Sequence, residues 1–401
     1  MAARRQDGLT RRALVAALPV VGALAGPARA LAADARAERV RGAALDFARQ
    51  MQATGRTPGV SAAVVLPDGG LVTATAGWAD PQRRLPMTPS TRLMSGSTGK
   101  SFCAATAMAL VQAGKLGLDA KLAPLFRDEP WFERLPNAPA LTLRMLLEHR
   151  AGFPQFLDEF GFQAAFLRDS LLGRDTGYSP RKMLSFILDK PPLTPPNGAH
   201  HYSDLHYHVV GLAIEKVTGE GYYAALRRLV LSRLGGHDVL PANAKAIPNL
   251  AAGYAQGDLI AALDGETGRS LDDHGVLRKN PSLEYTGGGL ALTPRALAMF
   301  YWKLAHGLIV APATFDEMVN SSVKLPAPPG VDSRYGLGLF VTRREGFGRY
   351  ISHSGYYPGY TSNGACYLDH GVAAAVQFNT DHGPDVYEAL RSLSGAVLKA
   401  L

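Results

Sequence analysis

From Phe102 to Val111 the chain holds Phe, Cys, Ala, Thr, Met, Leu and Val without a single charge. The helix predicted by this run has no face suited to water, so it belongs in the middle of a domain, and Gly114 supplies its stop. Ala33 to Gln52 reads as another helix. Gly59 to Leu66, the turn Pro67-Asp-Gly-Gly70 and Leu71 to Ala76 then read as a strand, a tight turn and a returning strand. From Ser97 to about Gly235 the pattern is mainly helical with Pro-marked loops, including helices at Leu141–His149 and Asp204–Thr218. Strands return only near the end, at Tyr335–Thr342, Arg349–Ser352, Ser362–Leu368 and Val372–Asn379, and Asp385–Leu401 closes as a helix.

Strands at both chain ends with helices between them predict an α+β fold. One antiparallel sheet, built from both chain ends and flanked by helices, carries an inserted, mainly helical domain. The expected division is residues 33–90 and 285–401 for the α/β sheet domain and 91–284 for the helical one, with the active site between them. The cleft-lining loops fall at Phe153–Gly177 and at Leu240–Lys279, the second of which has little periodic pattern.

Residues 1–32 read as an export signal. Arg4, Arg5, Arg11 and Arg12 precede an apolar run from Ala13 to Gly26, and Ala30-Leu31-Ala32 offers a small-residue cleavage site. Thr10-Arg11-Arg12 resembles a twin-arginine signal. The run is too short to span a bilayer and contains Pro19, so export to the periplasm or medium is expected, with no membrane span after cleavage. Removing these 32 of the 401 residues leaves 369 and removes five Arg and one Asp, which account for +4 of the net +8. The remainder is mildly basic and lacks Lys/Arg runs interleaved with aromatics, so a nucleic-acid partner is not expected. Cys103 and Cys366 are the two cysteines and lack metal-site spacing; they read as two buried thiols.

The chemistry centres on the turn that opens the apolar helix. Ser97 and Lys100 are three residues apart, which on a helix puts their Cβ atoms about 5–6 Å apart on one face. A serine becomes a nucleophile when a base takes its proton, and a lysine serves if burial or a nearby cation lowers its pKa. The helix start also favours a developing oxyanion. Ser-x-x-Lys occurs three times, at Ser97/Lys100, Ser179/Lys182 and Ser321/Lys324, but only Ser97 opens a buried helix. Ser179, before Pro180, reads as an N-cap. The histidines 200, 201, 206 and 208 do not make a metal site, because on a helix His206 and His208 point about 200° apart and no carboxylate spacing completes one.

In order along the chain, Ser97-Thr-Gly-Lys100, Leu146-Leu-Glu-His149, Tyr202-Ser-Asp204, Val210–Gly219, Gly287-Gly-Gly-Leu, Tyr335-Gly-Leu-Gly-Leu and His353-Ser-Gly355 resemble the penicillin-recognising serine hydrolases, in the branch of class C β-lactamases and D-alanyl-D-alanine carboxypeptidases. The resemblance implies a β-lactamase/transpeptidase-like fold that needs no cofactor or metal. It implies that Ser97 attacks a carbonyl of a small-molecule or peptide substrate to form an acyl-enzyme. Lys100 and a Tyr202 phenol of lowered pKa would share the proton traffic, and the backbone N–H groups of Ser97 and Tyr356 would hold the oxyanion. Asp204 and the strand His353-Ser354-Gly355 would bind substrate.

Two departures bear on the substrate. Asp204 stands where the β-lactamases of this branch have Asn, and His353 where they have Lys, a weaker cation at neutral pH. Both weaken recognition of a β-lactam and fit peptidase, esterase and amidase members at least as well. Blander roles exist beside these: Ser203 or Asp204 as a helix N-cap beside Tyr202, His353-Ser354-Gly355 as a strand end and turn, and His149 as a helix-end cation. A phosphate loop in Gly96–Ser101 would lack its first glycine, and a Gly-x-Ser-x-Gly elbow would need alternating strands and helices that this chain lacks. A binding or sensor protein trapped as a persistent acyl-enzyme remains the alternative of another class.

Overall fold

β1 (Gly59–Val65) is buried at every position, although its side chains point alternately to opposite faces. It pairs antiparallel with β12 (Val372–Phe378), setting Val60, Ala62 and Val64 opposite Phe378, Val376 and Ala374. These six face a core formed by the helix Ala25–Ala53 and the C-terminal helix Val386–Ala400. Ala63, Val65, Ala373 and Ala375 face the opposite way, into the large core of the helical region. Small residues are needed where a sheet is covered on both faces, and enlarging Ala63 or Ala375 would overpack the core at about 1–3 kcal/mol.

The computed structural model describes residues 25–174, 177–235, 238–256 and 268–401. Most of the expected export signal, residues 1–24, and part of the Leu240–Lys279 segment lie outside the described residues. The β1–β12 pairing joins the two chain ends into one nine-stranded antiparallel sheet. On one side of it lie β2 (Leu71–Asp80) and β3 (Leu85–Pro86). On the other follow β11 (Tyr360–Tyr367), β10 (Gly348–Tyr357), β9 (Phe340–Arg344), β8 (Val331–Tyr335) and β7 (Val323–Lys324). A second sheet of three short strands sets β6 (Leu290–Leu292) between β4 (Leu93–Met94) and β5 (Val239–Pro241).

Several local expectations agree with the structure. Ser179 caps Pro180–Leu184 by accepting from Lys182 N–H at 3.2 Å, and Asp385 caps the last helix. Both cysteines are buried and free. Others need correction. The helix expected at Leu141–His149 spans only Leu143–Leu147. The strand expected over Tyr335–Thr342 is broken: β8 ends at Tyr335 and β9 begins at Phe340. Between them the chain leaves the sheet to pack on the nucleophile helix. Gly338 has φ +80°, a Cβ there would lie 2.2 Å from Ala104 Cβ, and its carbonyl accepts from Ser101 Oγ at 2.7 Å. Leu337 and Leu339 are both buried, so their strand-like alternation reflects helix packing instead.

Candidate active site

Ser95-Gly96 forms a turn pinned from three sides. Ser95 N–H donates to Leu290 O at 2.8 Å, Ser95 Oγ to Gly288 O at 2.7 Å, and Ser95 O accepts from Ser362 Oγ of β11 at 2.6 Å. Gly96 has φ +49°, and a Cβ on it would lie 2.4 Å from Tyr356 O and 2.5 Å from Tyr356 N. Only glycine permits this conformation and approach together. Ser97 then sits in a 3-10 turn, Gly96–Thr98, rather than in the α-helix itself, which spans Gly99–Gln112. That helix is buried from Gly99 to Met108, as its composition predicts.

The short turn still brings the expected pair together. Lys100 has no exposure, and its Nζ donates to Ser97 Oγ at 2.9 Å, to Gly287 O at 2.7 Å and to Asp204 Oδ1. Three acceptors match the three N–H bonds of an ammonium. Nζ also lies 4.8 Å from the centre of the Tyr202 ring. Burial pushes the Asp204 carboxyl up, but the Lys100 charge and hydrogen bonds from Lys100 and Gln155 outweigh it and hold the group below the usual range. The carboxylate that replaces the branch's Asn is therefore the counter-ion of Lys100. Gln155, unforeseen in the sequence, donates Nε2–H to Asp204 Oδ2 at 2.6 Å.

Ser203 takes the capping role, accepting from Leu205 N–H at 3.3 Å, at the start of the helix Asp204–Thr218. This places Tyr202 before the helix and Asp204 in its first turn. The Tyr202 hydroxyl is buried without a hydrogen bond of good geometry. Burial and the Asp204 charge raise its pKa well above the ordinary phenol value, against a smaller lowering by the neighbouring Ser97 hydroxyl. The expectation of a lowered phenol pKa is thus reversed, because burial dominates, the Asp204 charge adds to it, and Lys100 is paired with Asp204. Tyr202 holds its proton.

His149 lies behind Tyr202, with ring centres 4.2 Å apart. It has φ +55° and is fully buried. His206 Nε2 accepts from Phe153 N–H, so its Nδ1–H donates to His149 Nδ1 at 3.0 Å. His149 is structural as expected, but it is not a helix-end cation: burial, then His206 and Lys100, drive its pKa far below the ordinary value. His208 points elsewhere and packs edge-on against Tyr285.

β10 approaches from the other side. Gly355 packs on Ser95, where a Cβ would lie 2.0 Å from its carbonyl oxygen, and this seats Tyr356 beside Gly96. His353, expected to be a weaker cation than the Lys it replaces, is driven further in that direction. Its Nδ1 lies 2.6 Å from Ser354 O and its Nε2 3.0 Å from Tyr335 OH, so Nδ1–H donates and Nε2 accepts. Burial, followed by the Lys100 charge, brings its pKa down to about 3. Ser354 Oγ pairs with Tyr387 OH at 2.6 Å on the exposed rim.

Ser97, Tyr202, Asp204 and Tyr356 line one cavity of about 340 Å³, whereas Lys100, His353, Ser354 and Gly355 are not in its wall. Its apolar wall includes Phe156, Leu157, Phe162, Phe166 and Leu283. These come from the segments expected to line the cleft or lie just beyond them, but sequence could not specify which side chains would turn inward. Lys279 and Glu284 complete the wall and carry no recognisable motif. Burial, then Asp204, push the Glu284 carboxyl up to about 8 despite Lys100.

The family model described as Beta-lactamase matches residues 45–397. The chain belongs to the β-lactamase family. Penicillin-binding protein 4* of Bacillus subtilis (strain 168) is 22% identical over 340 residues, covering 84% of this chain and 71% of that protein. Esterase EstB of Burkholderia gladioli is 32% identical over 170 residues, 40% of this chain and 41% of that protein. The crystal structure of D-amino acid amidase from Ochrobactrum anthropi SV3 complexed with L-phenylalanine amide matches with a TM-score of 0.70 at 25% identity, over 90% of this chain and 98% of that one. The β-lactamase/transpeptidase fold expected from the motifs is the fold observed, and this β-lactamase-family chain is a serine hydrolase. No helix among the described residues is long and apolar enough to cross a membrane.

Proposed function

We propose that the chain is an exported hydrolase that forms an acyl-enzyme at Ser97 and cleaves an amide, peptide or ester bond of a small substrate. The observation that carries this reading is the 2.9 Å contact from Lys100 Nζ to Ser97 Oγ at the wall of an open cavity, with the Tyr202 hydroxyl beside it. The cleft belongs between the sheet domain, residues 33–90 and 285–401, and the helical insertion, residues 91–284. Export rests on the arginine-led apolar segment of residues 1–32.

In the proposed reaction Ser97 Oγ attacks the substrate carbonyl, and the N–H groups of Ser97 and Tyr356 receive the oxyanion. Tyr202, a neutral phenol, suits the role of acid toward the leaving group. The Ser97 proton replaces the one Tyr202 gives up, with the Lys100–Asp204 pair holding the local charge in place. A neutral His353 puts no charge where the β-lactamases of the branch have Lys, which favours amidase or esterase chemistry over a true β-lactamase, although Lys279 in the cavity wall keeps one cation within the site.

Intact-protein mass spectrometry after exposure to a fluorophosphonate and to a fluorescent penicillin, beside Ser97→Ala, tests this. A fluorophosphonate adduct that vanishes in Ser97→Ala supports the reading. Additional penicillin labelling would move it toward the carboxypeptidase or β-lactamase alternative. A penicillin adduct that persists without ester or peptide turnover would assign the sensor role, and no adduct from either reagent would sink the acyl-enzyme.

A further inference from the structure

Glu284 shares the cavity wall with Ser97, Tyr202 and Asp204. Three features show that the chain is shaped around its carboxyl group. A Cβ on Gly288 would lie 2.4 Å from Glu284 Oε2 and 2.7 Å from the Gly96 carbonyl carbon. The two atoms are thus no more than 5.1 Å apart, one residue from the nucleophile. A Cβ on Gly287 would likewise lie 3.3 Å from Asp204 Oδ1, so the glycine run leaves room for both carboxyl groups. The next residue, Tyr285, holds φ +39° and ψ −112°, a strained conformation for a non-glycine. Among the described residues the half-buried Glu284 side chain makes no hydrogen bond or ion pair, and it faces the cavity. A partly buried, unpartnered carboxyl beside a nucleophile, held there by backbone strain, is a group kept for chemistry rather than for stability.

We propose that Glu284 is the catalytic base that activates water to hydrolyse the Ser97 acyl-enzyme. The inference rests on the reading of Ser97 as the nucleophile. The water oxygen bonds to the acyl carbon while one water proton passes to the Glu284 carboxylate. The C–Oγ bond then breaks, and Ser97 Oγ takes a proton from Lys100, whose Nζ is 2.9 Å away. The proton on Glu284 restores Lys100, leaving the product acid and the free enzyme. The raised affinity of Glu284 for protons suits a base in this step.

The test is stopped-flow hydrolysis of p-nitrophenyl acetate by the full-length wild type, Glu284→Gln and Glu284→Asp, with intact mass measured during turnover. Glu284→Gln should keep the burst of p-nitrophenol at a rate within about threefold, and lose steady-state turnover by at least about a hundredfold, the usual scale of a general base. An acetyl adduct should accumulate, and hydroxylamine, which attacks esters without a base, should restore turnover. Glu284→Asp, which keeps the carboxylate, should fall between wild type and Gln and covers the case in which Gln does not fold. Steady-state rates within tenfold of wild type without an adduct would overturn the proposal. So would a raised KM at unchanged kcat, which marks a substrate anchor, or a burst lost in Glu284→Gln with the fold intact, which marks an acylation role. If wild type itself shows no burst and no Ser97 adduct, the acyl-enzyme reading has failed, which is a separate outcome.

Discussion

Asp204→Asn would restore the Tyr-x-Asn pattern of the β-lactamases in this branch, yet the structure predicts that it destabilises this protein. An Asn Oδ1 still accepts from Lys100 Nζ, but its amide nitrogen replaces Oδ2, the acceptor for Gln155 Nε2 at 2.6 Å. Gln155 is not free to turn over, because its Oε1 accepts from Asp204 N–H at 3.3 Å and Phe156 N–H at 3.1 Å. Two NH2 groups are left facing each other. Breaking a buried ion pair costs about 3–5 kcal/mol, and the hydrogen bond kept to Lys100 recovers about 1.5–3 kcal/mol. Adding an unsatisfied donor of about 1–3 kcal/mol, the expected net loss centres on about 4 kcal/mol at pH 7, within a span of about 1–6.5 kcal/mol. Equilibrium urea unfolding of wild type, Asp204→Asn and the double variant with Gln155→Glu would measure it. The double variant should regain about 1 kcal/mol, because a carboxylate at 155 keeps accepting from the two backbone N–H groups and also accepts from the facing amide. The carboxylate's stabilising effect is present above the ordinary Asp range and is lost as pH falls through its lowered folded pKa, so the gap between wild type and Asp204→Asn should shrink below about pH 4. A loss under about 0.5 kcal/mol at pH 7, or no gain in the double variant, would refute this account of the Lys100–Asp204–Gln155 chain.

Lys100→Ala should lower the acylation rate by orders of magnitude, and an effect below about tenfold, roughly 1.4 kcal/mol, would mean that Lys100 only packs and pairs. Gly96→Ala should destabilise by about 1–3 kcal/mol through its positive φ, and should lower kcat more than it raises KM because the Cβ displaces Tyr356; wild-type kinetics would discard the Tyr356 oxyanion contact. Deacylation should rise with pH and level off above about 8 as Glu284 loses its proton; the charged and titratable neighbours that set this value, interact with it or share its cavity are Asp204, Lys100, Tyr202, Tyr223, Lys279, Tyr356 and Tyr357, and a flat deacylation profile from pH 6 to 9 would count against Glu284. Burial raises both thiols, Cys366 to about 12 and Cys103 further, so neither should react with a disulfide reagent in the native chain, and rapid labelling before unfolding would contradict the buried placement.

The sequence by itself determined what depends on near neighbours and on periodic burial. The uncharged run after Ser97 could only be an inner helix, and a three-residue spacing sufficed to bring Lys100 to Ser97. Short apolar runs divided by turn residues at both chain ends were enough to predict a sheet closed by the two termini. Ser179 announced a helix start through its own side chain. Only the tertiary structure decided the protonation states and partners that turn this frame into a site. Tyr202 keeps its proton, His353 is neutral and Asp204 neutralises Lys100, because pKa values follow burial and through-space charge between groups as far apart in the chain as Lys100 and Asp204. The break at Gly336–Leu339 arose the same way, from contact with a helix far earlier in the chain. Glu284 carries no motif at all, and it became visible only when the fold set Gly288 against Gly96, Gly287 against Asp204, and left its carboxyl group facing the cavity.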